Sequence, residues 1–268
     1  MPTISKQTGK RRLAVVGCVL FAALALISGT ILFLDYQRQM TADKEFEDLR
    51  GILSTETLST AGGPYSPAVI PQTAGQRYGQ LAKQNPDLAG WIQIEGTSIN
   101  YPVMQTPKDP DYYLDHDFQR QYSPYGVPYA DSRSDLSGGN VLIYGHHTKN
   151  KGMFGALVEY ERQSYYQAHP VILFDTLERY GFYQIVMVVK TTALLNDPSA
   201  FDYTKAAFPS DEKEFQTFLS ACEKRELYPT GESVSFGDRL LLLSTCEYSK
   251  EDGRLLIVAK QMKTADTK

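Results

Sequence analysis

Between Leu13 and Leu34 the chain has no charged side chain, and this run constrains everything that follows it. About 22 residues rising about 1.5 Å each are enough to cross a hydrocarbon core of roughly 30 Å, once. Lys6, Lys10, Arg11 and Arg12 precede the run, and the first acid of the chain is Asp35. Because basic flanks stay on the cytoplasmic side, residues 1–12 are read as a cytosolic tail, 13–34 as a single-pass signal anchor in the cell membrane, and the remainder as extracellular. A cleaved signal peptide is the rival reading. Its apolar core usually spans only roughly 7 to 15 residues, and Ser28-Gly29-Thr30 is a poor small-residue cleavage site.

All 31 Asp plus Glu lie beyond residue 34, with only about 23 of the 27 Lys plus Arg, so the exported part carries a net charge of about −8. That balance argues against a nucleic-acid partner. About 230 residues remain after the run, within the range of one mixed domain with a full core. Cys18 lies in the apolar run, which leaves Cys222 and Cys246 outside it, too few for a disulfide framework. A single Cys222–Cys246 bridge is the one pairing left open.

From Asp35 to Leu53 the chain suits a helix, with Phe46, Leu49 and Leu53 on a 3-4 spacing that suggests an amphipathic stalk. Ser54 to Gly75, with Gly62-Gly63-Pro64 and Pro67, reads as an exposed linker. The expected organisation is stalk and linker over 35–76 and one folded domain over 77–268. Within that domain a short helix is expected over Tyr78–Gln84. Strands are expected over Leu88–Ile94, Ile99–Met104, Val141–Tyr144, Val171–Asp175, Tyr180–Lys190, Arg239–Thr245 and Arg254–Lys260, where β-branched or leucine-rich runs alternate with Gly, Pro and Asp turns. Asp211–Lys224 is the strongest helix: Ser210 is placed to cap it, and Phe215, Phe218, Leu219 and Cys222 share one face. The predicted fold class is mainly β with added helices (α+β), built on a closed, mostly antiparallel barrel.

Thiol catalysis needs a nucleophile, a proton-handling partner and donors for a developing oxyanion. Cys246 closes the run Leu240-Leu241-Leu242-Leu243-Ser244-Thr245-Cys246 and Arg254 opens the next strand, with the turn signal Lys250-Glu251-Asp252-Gly253 between them. If the two strands pair as a hairpin, thiol and guanidinium share one rim. His146 follows Val141-Leu142-Ile143-Tyr144-Gly145, so it too stands at a strand end. Each residue also has a plainer reading: a lone Cys after a leucine-rich strand is most often structural, and the His and Arg suit surface positions. Adjacent His146 and His147 diverge, and no acidic or Cys ligand stands at a useful spacing, so neither metal nor other cofactor is expected.

The segments Asn140–His147, Leu242–Cys246 and Arg254–Lys260 resemble, in that order, the signature blocks of sortases, the membrane-anchored cysteine transpeptidases of Gram-positive cell envelopes. Trp91–Val103, Tyr112–Phe118 and Ile143–His147 are similar to class B sortases in particular, as is the helix between Tyr180 and Arg239. Together the resemblance covers about residues 77–263. One departure is Leu242, where the family often has threonine; Thr245 and Cys246 are kept.

The resemblance implies a sortase-type barrel in which Cys246 attacks the carbonyl after the threonine of a pentapeptide sorting signal, and an amine resolves the thioacyl enzyme. It implies His146, the histidine directly after glycine, as the acid–base partner, where the residues alone leave His146 and His147 open. Arg254 would serve as oxyanion donor. It further implies substrate contacts at Asn100, Met104, Tyr144, Ser244 and Glu247. The implied partners are surface proteins bearing sorting signals and, as acceptor, a peptidoglycan-precursor amine. Rival readings are a pilin polymerase that uses a pilin lysine, a cysteine protease resolved by water, and a non-catalytic, membrane-tethered binding barrel. An Asp-Pro-aromatic lid of the pilin-building class C kind is absent from the sequence before Trp91, and the simultaneous presence of His146, Cys246 and Arg254 argues against the binding barrel.

Overall fold

The computed structural model describes residues 4–54, 73–148, 152–194, 196–197, 200–249 and 251–263. The chain divides into two compact units, Met1–Asp48 and Leu49–Lys268. Nearly all of the first is α1 (Ile4–Ser54), one uninterrupted helix. By length and composition it is able to cross a membrane, and its apolar side chains from Val15 to Leu34 are exposed. In the second unit the end of α1 buries Leu49 and Leu53, and Arg50 donates to the Asn100 carbonyl. Most of the linker expected over Ser54–Gly75 lies outside the described residues.

The second unit is built on a closed barrel of eight strands in the order β1-β2-β3-β4-β7-β8-β6-β5. The strands are β1 (Leu88–Gln93), β2 (Asn100–Met104), β3 (Tyr129–Ala130), β4 (Val141–Tyr144), β5 (Val171–Thr176), β6 (Phe182–Thr192), β7 (Leu240–Cys246) and β8 (Gly253–Gln261). Pairing is antiparallel except between β2 and β3 and between β4 and β7. Seven strands fall within two residues of the runs read from sequence. β3 has only two residues, too few to carry an alternation signal.

The strands are buried on both faces because helices cover the barrel, which explains why β7 reads as an unbroken leucine run. A short helix, α3 (Gln163–Ala168), precedes β5. Residues of one parity, Leu142, Leu240, Leu242, Leu256 and Val258, pack outward against Tyr203 of α4 (Tyr203–Ala206) and Phe215, Phe218 and Cys222 of α5 (Glu212–Glu223). The cap of α5 is Asp211, whose carboxylate accepts from the Glu214 amide at 2.8 Å. Ser210, expected in that role, instead donates its amide and hydroxyl to the Glu214 carboxylate. The acid at the third helical position reaches back to hold the preceding turn, which frees Asp211 to cap. Before the barrel, α2 (Ala74–Gln84) begins four residues earlier than expected, because Thr73 and Gln76 form a reciprocal capping box. Its Tyr78 hydroxyl donates to Asp175 of β5 at 2.5 Å.

Candidate active site

The strand register brings three chemical groups into line. β4 and β7 run parallel with Tyr144 opposite Ser244, and β7 and β8 run antiparallel with Cys246 opposite Arg254. Side chains alternate along a strand, and residues facing each other on neighbouring strands share a face. Tyr144, Ser244, Cys246 and Arg254 therefore share the outer, helix-covered face of the barrel. His146 is two residues beyond Tyr144, as Cys246 is two beyond Ser244. The hairpin geometry that sequence inspection anticipated for Cys246 and Arg254 is what the pairing contains.

Past Tyr144 the β4 backbone keeps one more ladder bond, from the Gly145 amide to the Ser244 carbonyl at 3.1 Å. The Gly145 carbonyl accepts the Thr245 hydroxyl at 2.8 Å. Glycine is required here because an added Cβ would stand 2.5 Å from the ring of Phe154, which is fully buried. The His146 carbonyl accepts the Phe154 amide. These bonds fix the turn that carries both histidines.

The two imidazoles go to different partners. His146 Nε2 lies 2.7 Å from the Leu114 carbonyl, whereas His147 Nδ1 lies 3.0 Å from the Cys246 carbonyl. A carbonyl only accepts, so Nε2 of His146 carries a proton and Nδ1 is the nitrogen free to exchange one. Leu114 closes a short 3-10 turn, Tyr112–Leu114. Its role escaped sequence reading because the contact is made by a backbone atom.

Arg254 directs Nη1 to the Gly253 carbonyl at 2.9 Å. The Tyr203 hydroxyl lies 2.8 Å from Ser244 Oγ. Burial raises the Tyr203 phenol above its ordinary range, while bonds with Ser244 and Arg254 pull it back. The cysteines differ sharply. Both are free, so the Cys222–Cys246 bridge is not formed. Cys222 is on the buried face of α5, where desolvation pushes its thiol up to about 12, while Cys246 is partly exposed at the strand end.

The expected substrate contacts divide. Tyr144 is half-buried, and its hydroxyl donates to Asp131 Oδ2 at 2.9 Å. Asp131 also receives two bonds from the Arg133 guanidinium; its burial works against ionisation, but these bonds prevail and hold the carboxyl below its ordinary range. Ser244 is buried beneath Tyr203 and supports the site from below. Met104 is fully buried between β1 and β3. Asn100 opens β2 with its Oδ1 accepting from Trp91 Nε1 at 2.6 Å, a bond inside the β1–β2 hairpin that orients the side-chain amide. Glu247 is 6% exposed and faces inward: its carboxylate accepts the Ser249 amide and hydroxyl and pairs with Lys190 Nζ at 3.3 Å. Burial opposes its ionisation, yet Ser249 and Lys190 together keep it below the ordinary range. It braces the β7–β8 loop directly after Cys246.

Three comparisons bear on this arrangement. The model of the Sortase domain family matches residues 92–262. Sortase B of Staphylococcus aureus is 36% identical over 195 residues, covering 70% of this chain and 76% of that protein. Sortase B of Listeria monocytogenes is 34% identical over 185 residues, covering 67% and 72%. Among solved structures, a Staphylococcus aureus sortase B–substrate complex superposes with a TM-score of 0.71 at 28% identity, over 85% of this chain and all of that one.

Proposed function

This chain belongs to the sortase family of cysteine transpeptidases, with class B members as its relatives, and on that premise we propose that Cys246 cleaves a C-terminal sorting signal after its threonine and passes the acyl group to an amine of the cell wall. The observation that carries the reading is the register across β4, β7 and β8, which pairs the end of β4 with Ser244, two residues before Cys246, and sets Cys246 opposite Arg254.

In the first half-reaction the Cys246 thiolate adds to the scissile carbonyl. Arg254, with its planar fork of donors, holds the oxygen on which charge develops. His146 gives the Nδ1 proton to the departing amine, so the C-terminal fragment leaves and a thioester remains. Nε2 stays bonded to Leu114, which keeps the ring oriented through both protonation states. In the second half-reaction an incoming amine loses its proton to His146 and attacks the thioester, which restores the thiolate. With the apolar part of α1 as anchor, the N-terminus in the cytosol and the domain from α2 onward outside, the enzyme works at the outer face of the membrane. Surface proteins with sorting signals are its substrates.

The test is to incubate the full chain in detergent with a library of pentapeptide signals, with and without amine acceptors, and follow products by mass spectrometry. A thioester on Cys246 and an amide product formed only when amine is added support the proposal. Hydrolysis regardless of amine would make the protein a protease. Transfer to a pilin lysine but not to wall-type amines would make it a polymerase. No adduct with any signal would leave a binding barrel.

A further inference from the structure

β4 ends at Tyr144, and the last backbone bond it gives β7 is from Gly145 to the Ser244 carbonyl. A parallel ladder advances two residues at a time, so the next bond would run from the amide of residue 147 to the Cys246 carbonyl. That acceptor is instead taken by the His147 ring, through Nδ1 at 3.0 Å. The side chain thus continues the ladder one step past the strand. It reaches farther than an amide, so the two backbones can part beyond the strand end while the Cys246 carbonyl stays held. Tyr248 supports the ring from the β7–β8 loop: its hydroxyl donates to the His147 carbonyl at 3.0 Å and its ring lies 4.9 Å from the imidazole. On the other side, His147 pairs in a bridge with Met153.

We propose that His147 is a positioning residue for transpeptidation, its Nδ1–H fixing the Cys246 backbone and with it the aim of the thiol toward Arg254. The inference rests on the assignment of Cys246 as nucleophile and His146 as acid–base partner. Nδ1 carries a proton in the imidazolium and in the tautomer that the Cys246 carbonyl selects, so the bond needs a donor at this position and no titration. Asparagine places an amide N–H near the same point; leucine fills similar volume with no donor.

The experiment compares full-length wild type with His147→Asn, His147→Leu and His146→Ala. It measures kcat and KM for a cleaved signal peptide from pH 5 to 9, melting temperature, and the rate at which a haloacetamide alkylates Cys246, read by peptide mass spectrometry. His147→Leu is expected to lower kcat about tenfold with KM and melting temperature little changed, as for the loss of one net hydrogen bond. His147→Asn should recover most of kcat on the wild-type pH profile. Alkylation of Cys246 should slow severalfold in the leucine variant and recover in the asparagine variant, a readout that stands even if no peptide is turned over. Wild-type kcat and alkylation in His147→Leu would overturn the proposal. If His147→Asn were as inactive as His147→Leu with a displaced pH profile while His146→Ala kept activity, His147 would be the proton carrier and the His146 assignment would fall instead.

Discussion

Lys190→Met tests whether the β7–β8 loop is set by a buried ionic clamp. Lys190 Nζ lies 3.3 Å from Glu247 and 3.0 Å from Glu161, with the Lys190 side chain 21% exposed and that of Glu247 8%. Removing one partner of a fully buried pair costs about 3 to 5 kcal/mol, because the other charge is left uncompensated. Here Glu247 keeps both bonds from Ser249, and Lys190 touches solvent, so about 2 kcal/mol is expected at neutral pH. For a domain of this size that lowers the melting temperature by about 4 to 8 °C. The sign of the pH dependence follows from the Glu247 carboxyl, which the fold holds below its ordinary range. Its contribution is present above the unfolded carboxylate range, near about 4.3, and is lost as pH falls through the lower folded value. The variant loses the Lys190 part of that contribution, so its deficit should shrink as pH falls below about 4.3. Urea titrations of both proteins at pH 7 and about pH 3.5, with m compared, measure this directly. A deficit under about 0.5 kcal/mol at pH 7, or one equal at both pH values, would refute the clamp.

Four further outcomes are expected. Cys246→Ala should abolish the thioester with the fold intact, since the thiol of Cys222, pushed up to about 12 by burial, cannot substitute; an adduct on Cys222 in that variant would contradict the assignment. Arg254→Lys should lose roughly a hundredfold or more in kcat with a smaller change in KM, because a point charge replaces the planar fork; steady-state kinetics check it. Gly145→Ala should destabilise by about 1 to 3 kcal/mol by driving a methyl into the Phe154 ring, and should impair turnover because His146 follows directly; melting and kinetics on one preparation test both. Asp175→Asn should gain stability relative to wild type as pH rises from 4 to 7. Burial pushes the wild-type carboxyl up to about 6, so its favourable neutral form is present below the unfolded value and lost through the folded one; parallel melting curves across that range would reveal the trend.

The barrel was legible where strands are long and apolar, since runs such as Val141–Tyr144 and Leu240–Cys246 need no tertiary knowledge to be read as buried β. The three strand-end residues were legible for the same reason. What escaped reading has physical causes. Two-residue β3 and four-residue α4 are too short for any periodicity, yet α4 delivers Tyr203 to Ser244. The Leu114 carbonyl is a backbone group with no side-chain signature. Glu247 sits in a turn-like segment that reads as solvated, and only the arrival of Lys190 from β6 allows it to be buried. Met104 and Asn100 end and begin a strand buried on both faces, so alternation gives no clue to which of its residues face a ligand.

The register across β4, β7 and β8 also governs which lengths of chain this lineage is free to vary. Insertions between β6 and β7, or between β4 and β5, lengthen excursions that leave the ladder untouched, so the helices there can be exchanged or enlarged. A single-residue deletion within Leu240–Thr245 is a different event. It would turn Cys246 to the barrel interior and bring Glu247 outward opposite Arg254, exchanging the nucleophile for an acid in one step. Descent of this enzyme is therefore expected to accumulate length changes in its loops and almost none in β7.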